Sequence, residues 1–410
     1  MIKLGPCRLI PSNLNNGDDG RLVFLKDVYD FQSLFYEKKI VKVQSNFINL
    51  PLIIAHKEKI KKGFREFTAN LTYDINVYKT LFDQFDTEIK DEPVEIREAV
   101  QQAIIDTEGR KFMAYLDEKL EELENLVQNF SNDEHERHGF YFRKQLWNII
   151  LSSAFMKRTN IKPRGYAGDS EMMQMVYRNC YEGDTIFAKL MHKHPMEHPA
   201  SQAVRSRRKL ISSRLIDLKE NHKINPDNPL RVLSVACGPG FEITDILQSP
   251  ADIDRYHFTL LDQDPSALSE AQGIISQLEA RFGKKIQAGY LNDSVRTMIA
   301  KRQIQENWGF FDYIYSMGLF DYLTPPAARA VIEKLYQLLS PGGEMIIGNF
   351  HIKNPSRCYM EYWCDWVLYY RDEEEFLELT SKLENCQARV FFENTGSQMF
   401  LHVRKEMPNN

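Results

Sequence analysis

Gly238, Gly240 and Asp262 are the residues whose types and spacing point most directly to chemistry. The two glycines sit in the run Val-Leu-Ser-Val-Ala-Cys-Gly-Pro-Gly, which follows Arg231, and Asp262 closes the apolar run that begins at Tyr256. A glycine carries no Cβ, so backbone there can come close to a nucleotide-like ligand. A carboxylate about twenty residues further on is placed to accept hydrogen bonds from ribose hydroxyls. In a dinucleotide site a third glycine permits close helix–strand packing, with pyrophosphate at the helix N-terminus. Ile243 occupies that third position here. The spacing therefore predicts a ribose-bearing ligand and disfavours pyrophosphate.

Further candidates lie where ligand groups gather at the C-terminal ends of parallel strands. Asp321 and Tyr322, in Ser316-Met-Gly-Leu-Phe-Asp-Tyr-Leu323, read as groups that orient a substrate or accept a proton, or as caps of the next helix. Arg164-Gly-Tyr-Ala-Gly-Asp169 reads as a shaped loop with Tyr166 as a ligand contact, either a lid or simply the lead into a helix capped by Asp169. His351 follows the fifth predicted strand. An aromatic segment comes next, in which Trp363, Trp366 and Tyr370 would share a helical face, as core or as cavity wall. Arg371 ends that segment and would pair with Asp372–Glu375 or with a substrate carboxylate. His192, His194 and His198 lack a distant carboxylate or cysteine partner in the pattern, so no metal site is predicted. Arg205, Arg207, Arg208 and Lys209 read as a solvated helix face, with an acidic substrate as the alternative partner.

These groups must be held by alternating strands and helices. Strands are predicted at Leu230–Ala236, Tyr256–Leu261, Lys285–Tyr290, Phe310–Ser316 and Glu344–Phe350, with helices at Phe241–Gln248, Pro265–Phe282, Val295–Gln305, Ala327–Leu339 and Asp372–Glu384. Arg389–Glu393 and Met399–Arg404 form a hairpin pattern around Asn394-Thr-Gly396. The fold class is thus α/β: a doubly wound, Rossmann-like sheet with a C-terminal antiparallel hairpin and a largely helical N-terminal extension. Residues 228–405 form the α/β domain, 131–227 a helical lid or substrate region, and 1–130 an extension of short strands (within 1–55) and then helices. Ile96, Val100, Ile104, Tyr115, Leu116, Leu120, Leu123 and Val127 mark its packing face. Residues 225–229 read as a linker.

The glycine run resembles motif I of class I S-adenosylmethionine-dependent methyltransferases, and Leu-Leu-Asp-Gln-Asp-Pro resembles their acidic ribose-binding motif. Two positions depart from the family: Ser234 stands where an acidic residue is usual, and Ala236 where a glycine is usual. The resemblance implies S-adenosyl-L-methionine as cofactor. Val235, Ala236, Gly238 and Gly240 would surround its methionine and ribose portions, with Asp262 and Gln263 at the ribose. Asn292 and Asp293 would lie at the adenine amino group, with Ser316 and Tyr166 completing the cofactor site. Tyr166, Asp321, Tyr322 and His351 would be the catalytic or orienting set. Phe142-Arg-Lys-Gln-Leu-Trp147, Lys162–Asp169 and Gly318–Leu323 narrow the resemblance to bacterial extracellular-factor biosynthesis methyltransferases, which make 3-hydroxypalmitic acid methyl ester. That implies carboxyl O-methylation of a hydroxy fatty acid or similar apolar acid. The alternatives are N-, O- or S-methylation of another metabolite, or a non-catalytic regulatory protein that binds the cofactor.

Composition sets the outer bounds. In 410 residues, a formal net charge of −5 argues against general nucleic-acid binding, and 43% hydrophobic residues suffice for a core. Six scattered cysteines without a Cys-x-x-Cys pair suit reduced thiols better than a disulfide framework. No run approaches membrane-spanning length, and the start lacks a signal-peptide pattern. The expectation is a cytoplasmic enzyme with a small-molecule substrate, apolar or carboxylate-bearing.

Overall fold

The computed structural model describes residue 54 and residues 57–221, 228–300 and 304–407. Apart from residue 54, the strands expected in residues 1–55 lie outside the described residues, as does most of the 225–229 linker. The described chain divides into two compact units, one of residues 57–67 and 131–141, the other of residues 68–130 and 142–407. In the first, the Phe64 ring meets His138 edge-on at 4.9 Å. His138 Nδ1 donates to Glu134 O, and its Nε2 accepts the Lys61 amide at 3.1 Å.

The second unit is built on a seven-stranded sheet. Its strands are β1 (Leu230–Val235), β2 (Tyr256–Asp262), β3 (Ala288–Asn292), β4 (Phe311–Ser316), β5 (Leu339–Phe350), β6 (Cys386–Phe392) and β7 (Gln398–Lys405), in the order β3-β2-β1-β4-β5-β7-β6. Strands β1 to β5 run parallel, and β7 runs antiparallel to both β5 and β6. The chain moves outward from β1 to β3 and then returns to place β4 beside β1. That reversal opens a crevice at the carboxyl ends of β1 and β4.

Parallel strands must bury both faces, and their residues divide accordingly. Leu230 and Val232 of β1 join one core with Ile211, Leu215 and the helix Pro265–Phe282. Leu233 and Val235 join the other, with the helix Pro325–Leu338 and Phe376. The helix Pro265–Phe282 has the predicted bounds because each is chemically marked. Asp264 caps it, Pro265 starts it, and Gly283 ends it at φ +64°.

Several elements differ from expectation. The helix predicted over 295–305 is helical at Val295–Ala300 and again from Ile304 to Trp308, with 301–303 outside the described residues, and the helix predicted over 372–384 is only Glu373–Glu378. The third strand begins at Ala288. The amphipathic face expected from Ile96 to Val127 is interrupted by a π-helical turn at Ile105–Gly109, which rotates the stripe and leaves Ile96 47% exposed. Trp363, Trp366 and Tyr370 do not share a helical face. The helix Arg357–Tyr362 stops there, and Asp365 takes a left-handed φ of +48°. Arg143 and Lys162 each hold the Asp365 carboxylate at 2.7 Å, which secures that turn.

Among the described residues, Arg371 makes no ion pair with the expected Asp372–Glu375 run. It is buried, donates to the Phe320 and Leu323 carbonyls at 2.9 and 2.5 Å, and also bonds the Asn349 side chain. It thereby fixes the segment after β4 against β5. Replacing it with methionine leaves those acceptors buried and unpaired, at about 1–3 kcal/mol each. Arg371→Met is expected to lower the urea midpoint by an amount equivalent to about 3 kcal/mol or more with an unchanged slope, read by chemical denaturation.

Candidate active site

The turn after β1 is tightly wound. Ala236, Gly238 and Gly240 all take left-handed φ values, +53°, +56° and +68°. For Ala236 that conformation costs about 1–2 kcal/mol, which explains why glycine would be easier there. The turn is secured from β2: the Cys237 amide donates to Leu261 O at 3.1 Å, and the Gly238 amide to Asp262 Oδ2 at 3.0 Å. A Cβ built on Gly238 meets nothing within 4 Å, so that residue faces open space. Gly240 acts differently. Its Cβ position lies 3.5 Å from Ala271 Cβ, so it brings the turn against the helix Pro265–Phe282 and does not line the cavity.

A cavity of about 410 Å³ opens beside this turn, between it and the ends of β2 and β4. Val235, Ala236, Gly238, Asp262, Gln263 and Asp293 line it. Asp262 is 6% exposed, and its second oxygen accepts the Asp264 amide at 2.9 Å. Burial pushes its carboxyl above the usual range while those amides pull it back. Asn292 and Ser316 stand behind the wall. The Asn292 amide donates to Asp262 O and Gln263 O at 3.1 and 3.2 Å, and Ser316 Oγ donates to Val235 O at 2.9 Å. Neither lines the cavity, so both act on its geometry through the strand ends.

At the other end, Tyr166, Asp321 and Tyr322 all line the cavity. The Tyr166 and Tyr322 rings meet edge-on at 6.4 Å, and Trp366 Nε1 donates to the Tyr322 hydroxyl at 2.8 Å. Burial raises the pKa of both phenols. Asp321 is 2% exposed and accepts the Phe350 amide at 2.7 Å. Burial, opposed by that amide and by Arg207 and Arg371, pushes its carboxyl up to about 6. His351 does not line the cavity. Its Nε2 lies 3.1 Å from Glu373 Oε2, because the chain turns away after β5.

The Lys162–Asp169 loop is shaped by two left-handed residues, Lys162 at φ +51° and Gly165 at φ +91°. Asp169 is the N-cap of Ser170–Arg178, and Arg158 grips both its oxygens at 2.7 and 2.9 Å. The loop nevertheless reaches the cavity through Arg164, Gly165, Tyr166 and Gly168. A Cβ on Gly168 would meet the Tyr322 hydroxyl at 2.7 Å, so that glycine is needed for the approach. Arg164 ties the loop to Asp264 and Glu270 at 3.0 and 2.7 Å.

Sequence reasoning missed several lining residues, four of them polar or charged. The arginine run is not a solvated face. Val204, Arg207, Ile211, Leu215 and Leu218 share the buried stripe of the helix Pro199–Asn221, leaving Arg207 only 5% exposed and in the cavity wall. Their helical spacing was the available signal. Arg208 also lines the cavity and is paired with Asp245 at 2.7 Å. Glu242 and Tyr315 complete the wall, and the Tyr315 hydroxyl donates to Glu242 Oε1 at 2.6 Å. Burial pushes the Glu242 carboxyl up.

Comparison with known proteins adds the class. Residues 233–345, from within β1 into β5, match a family described as a methyltransferase domain. No curated protein matches the sequence. The chain is similar to a possible exported protein from Bordetella parapertussis, with 15% identity over 58% of this chain and 80% of that one, and a TM-score of 0.44. It is also similar to magnesium protoporphyrin IX methyltransferase from Synechocystis with bound S-adenosylmethionine, with 13% identity over 51% and 84% of the two chains, and a TM-score of 0.36. A third is the N-methyltransferase from Bradyrhizobium japonicum in complex with S-adenosylhomocysteine, at 16% identity, 52% and 90% coverage, and a TM-score of 0.33.

The chain carries a methyltransferase domain, with methyl transfer as its activity. The open space at Gly238 and the buried Asp262 carboxylate suit S-adenosylmethionine, the cofactor that the sequence motifs imply. Among the described residues, no helix is long and apolar enough to cross a membrane.

Two measurements test this geometry. Asp262→Ala removes a charged acceptor and is expected to weaken S-adenosylmethionine binding by about ten- to a hundredfold in calorimetry. Asp321 tests the electrostatics. Its folded pKa of about 6 lies above the unfolded value, so its contribution to stability is full below about pH 4 and is lost as pH rises through 6. Asp321→Asn cannot ionise, and it should gain about 1 kcal/mol of stability relative to the parent between pH 5 and pH 7, read by urea denaturation at both values.

Proposed function

We propose that the chain transfers a methyl group from S-adenosylmethionine to the carboxylate of an apolar acid, such as a hydroxy fatty acid. The observation that carries this reading is Arg207. Its guanidinium is buried in the cavity wall, and among the described residues no carboxylate lies within ion-pair distance of it. It donates to Met317 O at 3.0 Å and approaches Met173 Sδ at 3.2 Å, while its Nε has no hydrogen-bond partner among the described residues. A buried cation so placed favours an anion, since burying charge without a counter-ion is costly. Met173, Tyr177, Ile211, Leu319 and Trp366 supply apolar wall around it.

The cofactor supplies an electrophilic methyl group. The residues of this chain would do the rest by positioning. Arg207 holds one end of the acid and turns an oxygen toward the reacting centre. The Tyr166–Tyr322 pair closes the cavity with Trp366 behind it. A carboxylate is ionised at neutral pH, so no base is needed and no proton moves to Asp321. The apolar walls exclude water and take up the acyl chain at about 0.8 kcal/mol per buried methylene.

The test is turnover with a panel of carboxylic acids of rising chain length. The KM is expected to fall with each added methylene until the cavity is filled. Arg207→Met should raise KM for the acid by about ten- to a hundredfold, the worth of a charged hydrogen bond, and leave calorimetric cofactor affinity unchanged. Asp321→Asn should retain turnover within about tenfold, short of the usual value of general base catalysis. Loss of turnover in Asp321→Asn with Arg207→Met unaffected would mean a hydroxyl or amine acceptor that needs a base.

A further inference from the structure

The sequence leaves His194 and His198 without a carboxylate, and the fold supplies one from far along the chain. Asp117, on the helix Arg110–Val127, sets its Oδ1 3.0 Å from His194 Nε2 and 3.4 Å from His198 Nε2. The two imidazole nitrogens are 3.5 Å apart. His192 takes no part: its ring is buried, and neither nitrogen has a hydrogen-bond partner among the described residues.

Three donor atoms thus close a triangle with edges of 3.0, 3.4 and 3.5 Å. A tetrahedral zinc ion with bonds of about 2.0–2.1 Å to nitrogen or oxygen separates neighbouring ligands by about 3.3–3.4 Å. The triangle is that of three tetrahedral corners. Hydrogen bonding alone accounts for two of its edges, each imidazole donating to the carboxylate. It does not account for the third, because two donating nitrogens turned toward each other repel. The rings are nonetheless held in that attitude from behind. The Tyr359 hydroxyl lies 3.0 Å from His194 Nδ1, and the Tyr359 ring stacks on His198 at 4.6 Å. A fixed partner on the second ring nitrogen is the usual support of a metal-bound histidine.

We propose that Asp117, His194 and His198 bind a divalent transition-metal ion, best matched by zinc, with water in the fourth position. Two imidazoles and one carboxylate suit zinc, whereas calcium and magnesium require a larger set of oxygen ligands. The Asp117 side chain is 62% exposed and His194 only 3%, so the site has one open face for entry and for the water. The ligands lie outside the main cavity. His198 and Tyr359 instead line a small apolar pocket that also touches Phe350 and Trp366, two residues of the main cavity wall. The ion therefore acts as a clip. It joins Arg110–Val127 to the end of Ile186–Glu197 and, through Tyr359, to Arg357–Tyr362 behind that wall.

The experiment uses the full chain stripped with a chelator and titrated with zinc, followed by calorimetry and thermal unfolding. One equivalent should bind and raise the Tm, as any ligand of the folded state does. Cobalt in place of zinc should give the visible absorption of a tetrahedral site. Asp117→Asn and His198→Ala should abolish the cobalt spectrum and the rise in Tm. Tyr359→Phe should weaken zinc about 10- to 100-fold. Cys180→Ser, at an exposed thiol, should change nothing. Zinc bound equally by the parent and Asp117→Asn, loss of binding in Cys180→Ser, or a parent chain that gives no tetrahedral cobalt spectrum would each overturn the proposal. The parent's cobalt spectrum decides the matter even where a variant fails to fold.

Discussion

The Asp262 carboxylate accepts one amide from the turn after β1, at Gly238, and another from the turn after β2, at Asp264. The two loops that frame the cavity are joined through that one side chain. The arrangement matters because the first turn is strained: Ala236 takes a left-handed φ that an alanine rarely adopts. Neighbouring β1–β2 bonds, including Cys237 N to Leu261 O, hold the backbone where it would otherwise relax. The same carboxylate faces the cavity with lone pairs to spare. Under the proposed reading, structural tie and ligand acceptor are one group, so the site would not loosen without losing its recognition element.

The opposite wall is governed by buried charge. Asp321 lies between β4 and β5 and Arg371 lies after β5, and the two do not neutralise each other through a direct ion pair. Asp321 takes the Phe350 amide, and Arg371 takes carbonyls of the same short turn. Each is satisfied by backbone, which fixes the turn from both sides. Arg207 stands apart because its hydrogen bonds leave its charge uncompensated. Its field draws on Asp321, along with that of Arg371. An anion taken up at Arg207 would compete for that field and raise the proton affinity of Asp321 further. Under the proposed reading, the residue placed like a base is thus driven toward its neutral form when substrate binds, which fits chemistry that needs no base.

Much of the sheet is legible in the sequence because parallel strands write their burial as continuous apolar runs and glycine turns punctuate them. The helix Pro265–Phe282 is legible at both ends because a cap, a proline and a left-handed glycine each leave a distinct residue. What stays hidden depends on packing partners far along the chain. The arginines at 205–208 look solvated as a charge run, which masks the apolar spacing around Arg207, and the placement of the helix Pro199–Asn221 shows that Arg207 is inside. The aromatic stripe fails because one residue, Asp365, leaves the helix, held by Arg143 and Lys162 from more than 200 positions away. The histidine cluster looks bare for the same reason, since Asp117 lies 77 residues from His194.

Ser234 illustrates how a local departure is absorbed by its surroundings. It stands where the resembled family usually has an acid, and it is buried in β1, in register with Tyr315 of β4. Beside this small residue the Tyr315 hydroxyl reaches the carboxyl of Glu242 at 2.6 Å, and all three line the cavity. Glu242 comes from the far side of the glycine turn, at the start of the helix Glu242–Ile246. The acid missing from the strand is therefore present in the same cavity, carried by the helix instead. Its environment is not equivalent, however. Burial raises its pKa, and the tyrosine hydrogen bond only partly offsets that. Burial is the larger influence on this carboxyl, and the Tyr315 donor and the Arg208 charge act against it. At this site the acid is carried by the helix that follows the glycine turn, with the Tyr315 hydroxyl as its fixed donor and the small Ser234 beside it on the strand.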